Sequence, residues 1–248
     1  MKYFLYSLLV ILVLSCNSEA ISDCLKTAGS KTQLSYNLGA FSKVIFHEDI
    51  VLEIRQGATN TIHIEYGENL IDNITTTITN DQLIISNTTG CSLARDIKPA
   101  TVILTATNLS EIRNASQYQV FNTTPIYFDS LTLISEDYLI TNVNVGDFDL
   151  NIENQAINVI TNNVSNFTMR GTTTNLAVNF ASGQGKFEGE HLIAQNIYVF
   201  HRGINHLVIH PTARLTGEIR SSGNIISVNR PPLVTVEAFY TGKLIFRN

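Results

Sequence analysis

The chain has no Trp, two Met, three Cys and five Pro in 248 residues, and only 15% of it is charged. Leu, Ala, Glu and Lys, the residues that favour helices, are modest in number, which excludes a mainly helical protein. Positive charge is scarce as well: 16 Lys and Arg stand against 21 Asp and Glu, scattered with no stripe, and the pI is near 5.6. Phosphate binding with counterion release needs such a stripe, so a nucleic-acid partner is excluded. The cysteines lack zinc-ligand spacing, with no second pair of ligands nearby. What is abundant is Asn (25), Thr (26) and Ile (29), about a third of the chain. Ile and Thr are β-branched and suit a pleated, half-buried surface, whereas Asn supplies turns, so the composition predicts an all-β fold.

The one long apolar run covers residues 3–14, behind Lys2 and ahead of Ser15-Cys16. Spanning ~30 Å of hydrocarbon needs ~20 apolar residues, so the run is too short for an anchor and reads as a secretory signal over 1–15. Val13-Leu14-Ser15-Cys16 resembles the bacterial lipobox, in which cleavage before the Cys is followed by lipid attachment to it. An ordinary secretory signal with an incidental Cys is the alternative. Acyl chains at ~0.8 kcal/mol per buried CH₂ would tether Cys16 to a bilayer, with 16–36 as a polar tether and 37–248 as one domain. Two cysteines then remain in an oxidising space, Cys24 and Cys91. A disulfide between them would close a loop of roughly 67 residues and contribute about 4 kcal/mol on the loop-entropy model; two unrelated thiols are the other possibility.

Strands are predicted at 43–46, 50–56, 61–66, 74–79, 82–86 and 101–105, several with strict alternation, as in Ile50, Leu52 and Ile54 against Val51, Glu53 and Arg55. Asn80-Asp81 between two of them suits a tight antiparallel hairpin. The N-terminal part, about 37–125, therefore holds antiparallel pairing. From 126 to 248 a polar residue followed by alternating apolar positions recurs: SLTL at 130–133, DFDL at 147–150, NFTM at 166–169, NLAV at 175–178, NIYV at 196–199 and NHLVI at 205–209. Leu131, Phe148 and Phe167 stand 17 and 19 residues apart. A repeat of ~20 residues with no helical crossover fits stacked parallel coils, a β-helix-like solenoid, with a β-sandwich as the alternative. Residues 234–240 and 243–246 read as a closing hairpin over the last edge.

These segments carry a resemblance. DCLKTAG at 23–29, FSKVIF at 41–46, VLEIRQG at 51–57, IHIE at 62–65, NLI at 69–71, NDQLII at 80–85 and GC at 90–91 resemble the autotransporter-adhesin head GIN-domain family of Bacteroidetes envelope proteins. ASGQGKF at 181–187, SSGNI at 221–225 and YTGKL at 240–244 look like degenerate forms of its Ser-Gly repeats, with Gln184 and Asn224 in place of small residues. The resemblance covers nearly the whole mature chain. It implies a right-handed parallel β-helix-like fold and an exported, often lipid-anchored protein of the bacterial outer membrane, facing the periplasm or the cell surface, and it carries no catalytic motif.

Three acids, Asp147, Asp149 and Glu153, alternate with Phe148, Leu150 and Ile152 and share an outward face at ~7 Å for adjacent acids. That spacing overlaps the ~6.5–9.5 Å of an inverting glycosidase pair, and β-helices host polysaccharide lyases and hydrolases; a solvated strand face is the plainer reading. Glu188 and Glu190 flank Gly189 and face alike, and a solvated face is again the plainer reading. His191, His201, His206 and His210 cluster in sequence, but His206 and His210 would stand about 13 Å apart on a strand, too far for one ion. No metal, cofactor or catalytic residue is therefore expected. Tyr198, Tyr118 and Tyr127 offer aromatic surface for a glycan. Seven Asn-x-Ser/Thr sites, among them Asn87, Asn114 and Asn163, follow from composition, and Asp129-Ser130-Leu131 resembles a Bacteroidetes O-glycosylation sequon. The expectation is a lipid-anchored envelope protein that binds a glycan or a surface protein. The alternatives are a polysaccharide-degrading enzyme and a self-assembling structural protein working as a homo-oligomer.

Overall fold

The computed structural model describes residues 27–89, 98–136 and 144–247, and among them the chain is all-β, with no α-helix and a single 3-10 turn at Ile71–Asn73. Nine strands come from the N-terminal part: β1 (Lys31–Asn37), β2 (Lys43–Glu48), β3 (Ile50–Gln56), β4 (Thr61–Gly67), β5 (Ile74–Thr79), β6 (Gln82–Asn87), β7 (Ala100–Ala106), β8 (Glu111–Ser116) and β9 (Val120–Phe121). Eight follow: β10 (Ser130–Ser135), β11 (Phe148–Thr161), β12 (Phe167–Phe180), β13 (Phe187–His201), β14 (Leu207–Ile219), β15 (Ile225–Ser227), β16 (Leu233–Ala238) and β17 (Leu244–Phe246). All 17 belong to one mixed, curled sheet.

Strand pairing resolves that sheet into two ladders. The first runs β5, β6, β2, β8, β10, then the C-terminal halves of β11 to β14, then β16. The second runs β1, β4, β7, β3, β9, then the N-terminal halves of β11 to β14, then β15 and β17. The four long strands pass from the second ladder into the first. Antiparallel pairing joins β1 to β4, β4 to β7 and β5 to β6; the other pairs are parallel. The β5–β6 turn has both Asn80 (φ 51°) and Asp81 (φ 65°) in the left-handed region, the backbone that a two-residue hairpin needs.

Parallel register stacks like on like. In the second ladder Phe148, Phe167, Phe187, Leu207, Ile225 and Leu244 lie in direct register, at steps of 18 to 20 residues. Phe148 and Phe167 stack with centroids 4.5 Å apart and planes 10° from parallel. In the first ladder Ile157, Leu176, Ile197 and Leu215 form one inward row and Val159, Val178 and Val199 the next. These side chains are buried in a single apolar cluster running from Phe41 to Ile225. Removing that much apolar surface from water is the main driving force for the stack.

Three expectations change. Leu131 lies in register with Ile157 in the first ladder, so the spacing from Leu131 to Phe148 mixed two interleaved ladders. The stretch 16–36, expected as tether, overlaps β1, which pairs with β4 through seven residues. The closing hairpin is not formed: β16 pairs with β14 and β17 with β15, both parallel, because each continues a different ladder.

Candidate binding surface

The three acids do not form a pair. Asp149, facing outward in the second ladder, is ion-paired with Arg170 of the next strand. Asp147 accepts hydrogen bonds from the Asn166 backbone N–H at 2.8 Å and from Asn166 Nδ2 at 3.1 Å. Glu153 is exposed further along β11, where its backbone N–H donates to Ile126 O. Two of the three carboxylates are thus engaged by side chains or backbone of the next strand and its approach, and the three converge on no common point. Glu190 pairs with Arg247 at 3.1 Å.

Tyr198 sits elsewhere, on the outward face of the first ladder, with 43% of its surface exposed. Along that face Asn158, Ala177, Tyr198 and Thr216 stand in register, beside a second row of Ala156, Asn175, Asn196 and Arg214. Alanines in an otherwise Asn- and Thr-rich face leave a shallow depression of about 270 Å³, flanked by the Tyr198 ring. Neighbouring amides link from strand to strand: Asn196 Nδ2 donates to Asn175 Oδ1 at 3.1 Å and Asn179 Nδ2 to Asn158 Oδ1 at 3.0 Å. Hydrogen-bonding amides beside an aromatic face suit a ligand with hydroxyls and an apolar ring plane. The acids and Tyr198 therefore occupy different ladders and form no common site.

Residues 40–231 match the model of the family described as putative auto-transporter adhesin, head GIN domain. The chain belongs to this family. Similar solved structures include a putative adhesin from Bacteroides fragilis, 18% identical with a TM-score of 0.77, covering 88% of this chain and 97% of that one. A putative adhesin from Parabacteroides distasonis is 14% identical with a TM-score of 0.62, covering 89% and 99%. A structure from the same species called a putative lipid binding protein is 13% identical with a TM-score of 0.58, covering 88% and 97%. At these identities the likeness establishes a common fold. No curated protein matches the chain.

Within this head GIN domain, the Ser-Gly segments are corners, where the first ladder ends and the second begins. Gly183 lies there with φ 91°, and a Cβ on it would meet Asn163 O at 2.0 Å. Upstream in the same file of corners stand Asn-x-Ser/Thr triplets. Asn87, Asn114 and Asn163 each accept, through Oδ1, the backbone N–H two residues on, at 3.0, 2.9 and 2.9 Å. These are Asx turns, so the triplets serve the backbone. Asn163 is buried, with Nδ2 donating to Ser135 Oγ at 2.9 Å and to Asn144 O, while Ser135 and Ser165 hydroxyls meet at 2.8 Å.

The histidines are dispersed. His201 is fully buried at a corner, with Nε2 2.9 Å from Asn205 O, and burial pushes its pKa down to about 4 against the opposing Asn205 hydrogen bond. His210 Nδ1 lies 2.9 Å from Glu190 O, and His206 Nδ1 accepts from the Asn224 N–H at 3.3 Å. Among the described residues no group of three His, Cys, Asp or Glu could hold a metal ion, and no helix is long and apolar enough to cross a membrane. Cys16, Cys24 and Cys91 lie outside the described residues. Sequence reasoning missed two features: Arg214 beside Tyr198 and Arg170 on Asp149. Both depend on pairings between residues about 20 positions apart, for which no local signal exists.

Proposed function

We propose that this head GIN domain is an adhesin-like binding protein of the bacterial cell envelope, exported, held to the outer membrane by lipid on Cys16, and without catalytic activity. The observation that carries the reading is the outward face of the first ladder, where Tyr198 borders a depression lined by amides and hydroxyls. Steps of 18 to 21 residues from β11 to β14 through both ladders support a right-handed parallel β-helix-like stack in the C-terminal part, which presents a flat face suited to shallow, repeated contacts. A glycan or a surface protein is the ligand class. The engagement of Asp147 and Asp149 with Asn166 and Arg170 favours binding over hydrolysis. Cys24 and Cys91 would join as a disulfide in that compartment.

The test is a glycan-array and hydrolysis screen with the purified mature chain. Binding without product release is expected; product release overturns the reading. Metabolic labelling with a fatty-acid analogue checks the anchor: label on the wild type and none on Cys16→Ala is the expected pair of results.

A further inference from the structure

Eight arginines lie among the described residues, and their partners divide them. Arg55, Arg113, Arg170, Arg220 and Arg247 each sit within 4.0 Å of a carboxylate oxygen, and Arg230 lies 4.9 Å from the Phe246 ring centroid. Arg202 and Arg214 make none of these contacts among the described residues; of the two, Arg214 lies exposed at the rim of the Tyr198 depression. No acidic residue lines that depression. In a chain of net charge −5, with most arginines already paired, a free guanidinium beside a half-exposed aromatic ring and a row of amides is a local exception.

We infer that the depression binds an anionic saccharide, a sugar bearing a carboxylate, with its ring plane on Tyr198 and its carboxylate on Arg214. This rests on the binding reading above and narrows it to a ligand class. Strands in a ladder lie ~4.8 Å apart, so Asn158 and Tyr198, two steps from one another, stand ~9.6 Å apart with Ala177 as the floor between them. Arg214 is one step beyond Asn196, within reach of a substituent on a ring seated against Tyr198. A guanidinium receives a carboxylate through two parallel N–H donors, a geometry that neutral sugars cannot use. Asn175 and Asn196 spend one donor and one acceptor on each other, and Asn196 Oδ1 is left to accept from a sugar hydroxyl.

The experiment titrates the full chain, purified in detergent, with oligogalacturonate, with glucuronate- and sialate-bearing oligosaccharides, and with the methyl ester of each. At least one acid should bind about tenfold more tightly than its ester, with an affinity that falls as salt rises. Arg214→Gln should abolish the difference between acid and ester, and Tyr198→Ala should weaken both. Equal binding of acid and ester, or an unchanged preference in Arg214→Gln, overturns this inference and leaves the binding reading intact. Failure of every saccharide, acidic or neutral, on a full array overturns both. Circular dichroism on each variant separates lost binding from lost folding.

Discussion

The two ends of this sheet are built by different rules. At the N-terminal end the chain reverses direction: β5 folds back on β6 through Asn80-Asp81, β4 adds antiparallel to β7, and β1 adds antiparallel to β4. The edge strands left there, β1 and β5, are largely polar, with Thr at five of their 13 positions. At the C-terminal end no reversal occurs. The stack stops with β16 and β17 each paired on one side, and Leu233, Phe239 and Tyr240 are 56%, 53% and 69% exposed. Arg220 lies 4.3 Å from the Phe239 centroid, a cation–π cover for one exposed ring. The antiparallel end thus rests on short-range turns, whereas the parallel stack rests on each corner fitting the one before it. Errors in a turn should stay local; errors in a corner should propagate through the register.

The sharpest way to break this contrast is Gly183→Ala. The methyl group would press on Asn163 O in a left-handed backbone, so the corner has to move and both flanking ladders with it. A loss of about 3–4 kcal/mol is expected, read from the urea midpoint. A change below about 1 kcal/mol would show that corners flex independently and the contrast would fail.

Acid is the second probe of the stack. His201 stays neutral in the folded protein down to about pH 4, whereas the unfolded chain takes up its proton near the ordinary 6.5. Above the ordinary value the two states bind equal numbers of protons, and the group adds no pH dependence. Between there and pH 4 the unfolded state binds more, so stability falls by up to about 1.4 kcal/mol per pH unit. His201→Gln keeps a donor for Asn205 O and cannot titrate, so it should flatten this slope by up to one proton. His47, which burial also pushes down, and the paired carboxylates keep the rest. An unchanged slope would refute the assignment.

Asn163→Ala comes next. It removes the acceptor for the Ser165 N–H and the donor to Ser135, leaving buried polar groups unpaired. About 2–3 kcal/mol should be lost. Asn163→Asp keeps the acceptor and brings a charge into a buried site, so it should be at least as damaging.

How much was legible follows the same division. The hairpin at Asn80-Asp81 and the alternation in β3 and β4 are local signals, and the sequence displays them openly. The period near 20 is visible because stacked inward rows need apolar residues at each turn. Which ladder a segment joins is not, since SLTL at 130–133 and DFDL at 147–150 read alike although they belong to different ladders. β1 escaped notice because an edge strand with Leu34 42% exposed carries little apolar alternation. Glu53, read as outward-facing, is 6% exposed. Burial raises its pKa, but hydrogen bonds from Arg55 and Thr123 and the Arg55 charge bring the net shift below the usual carboxylate range. Such pairings arise only after the chain has folded.

The smallest effect belongs to the hairpin and tests whether turn errors are contained. Asp81 sits at φ 65°, which costs an ordinary side chain about 1 kcal/mol, and its carboxylate accepts a hydrogen bond from Ser42 Oγ, worth a similar amount at an exposed site. Asp81→Ala keeps the backbone strain and loses the bond, so about 1–2 kcal/mol should go. Asp81→Gly loses the bond and relieves the strain, and should stay within about 0.5 kcal/mol of wild type. Ser42→Ala in each background separates the two terms: it should destabilise the wild type more than either Asp81 variant, in which only the 3.3 Å contact with the Ser110 hydroxyl is left to lose. Hydrogen exchange supplies the spatial readout, with faster exchange confined to β5, β6 and the start of β2 in Asp81→Ala. If exchange also quickens in β12 and β13, the two ends are one cooperative unit, and the distinction between local turns and propagating corners has to be abandoned.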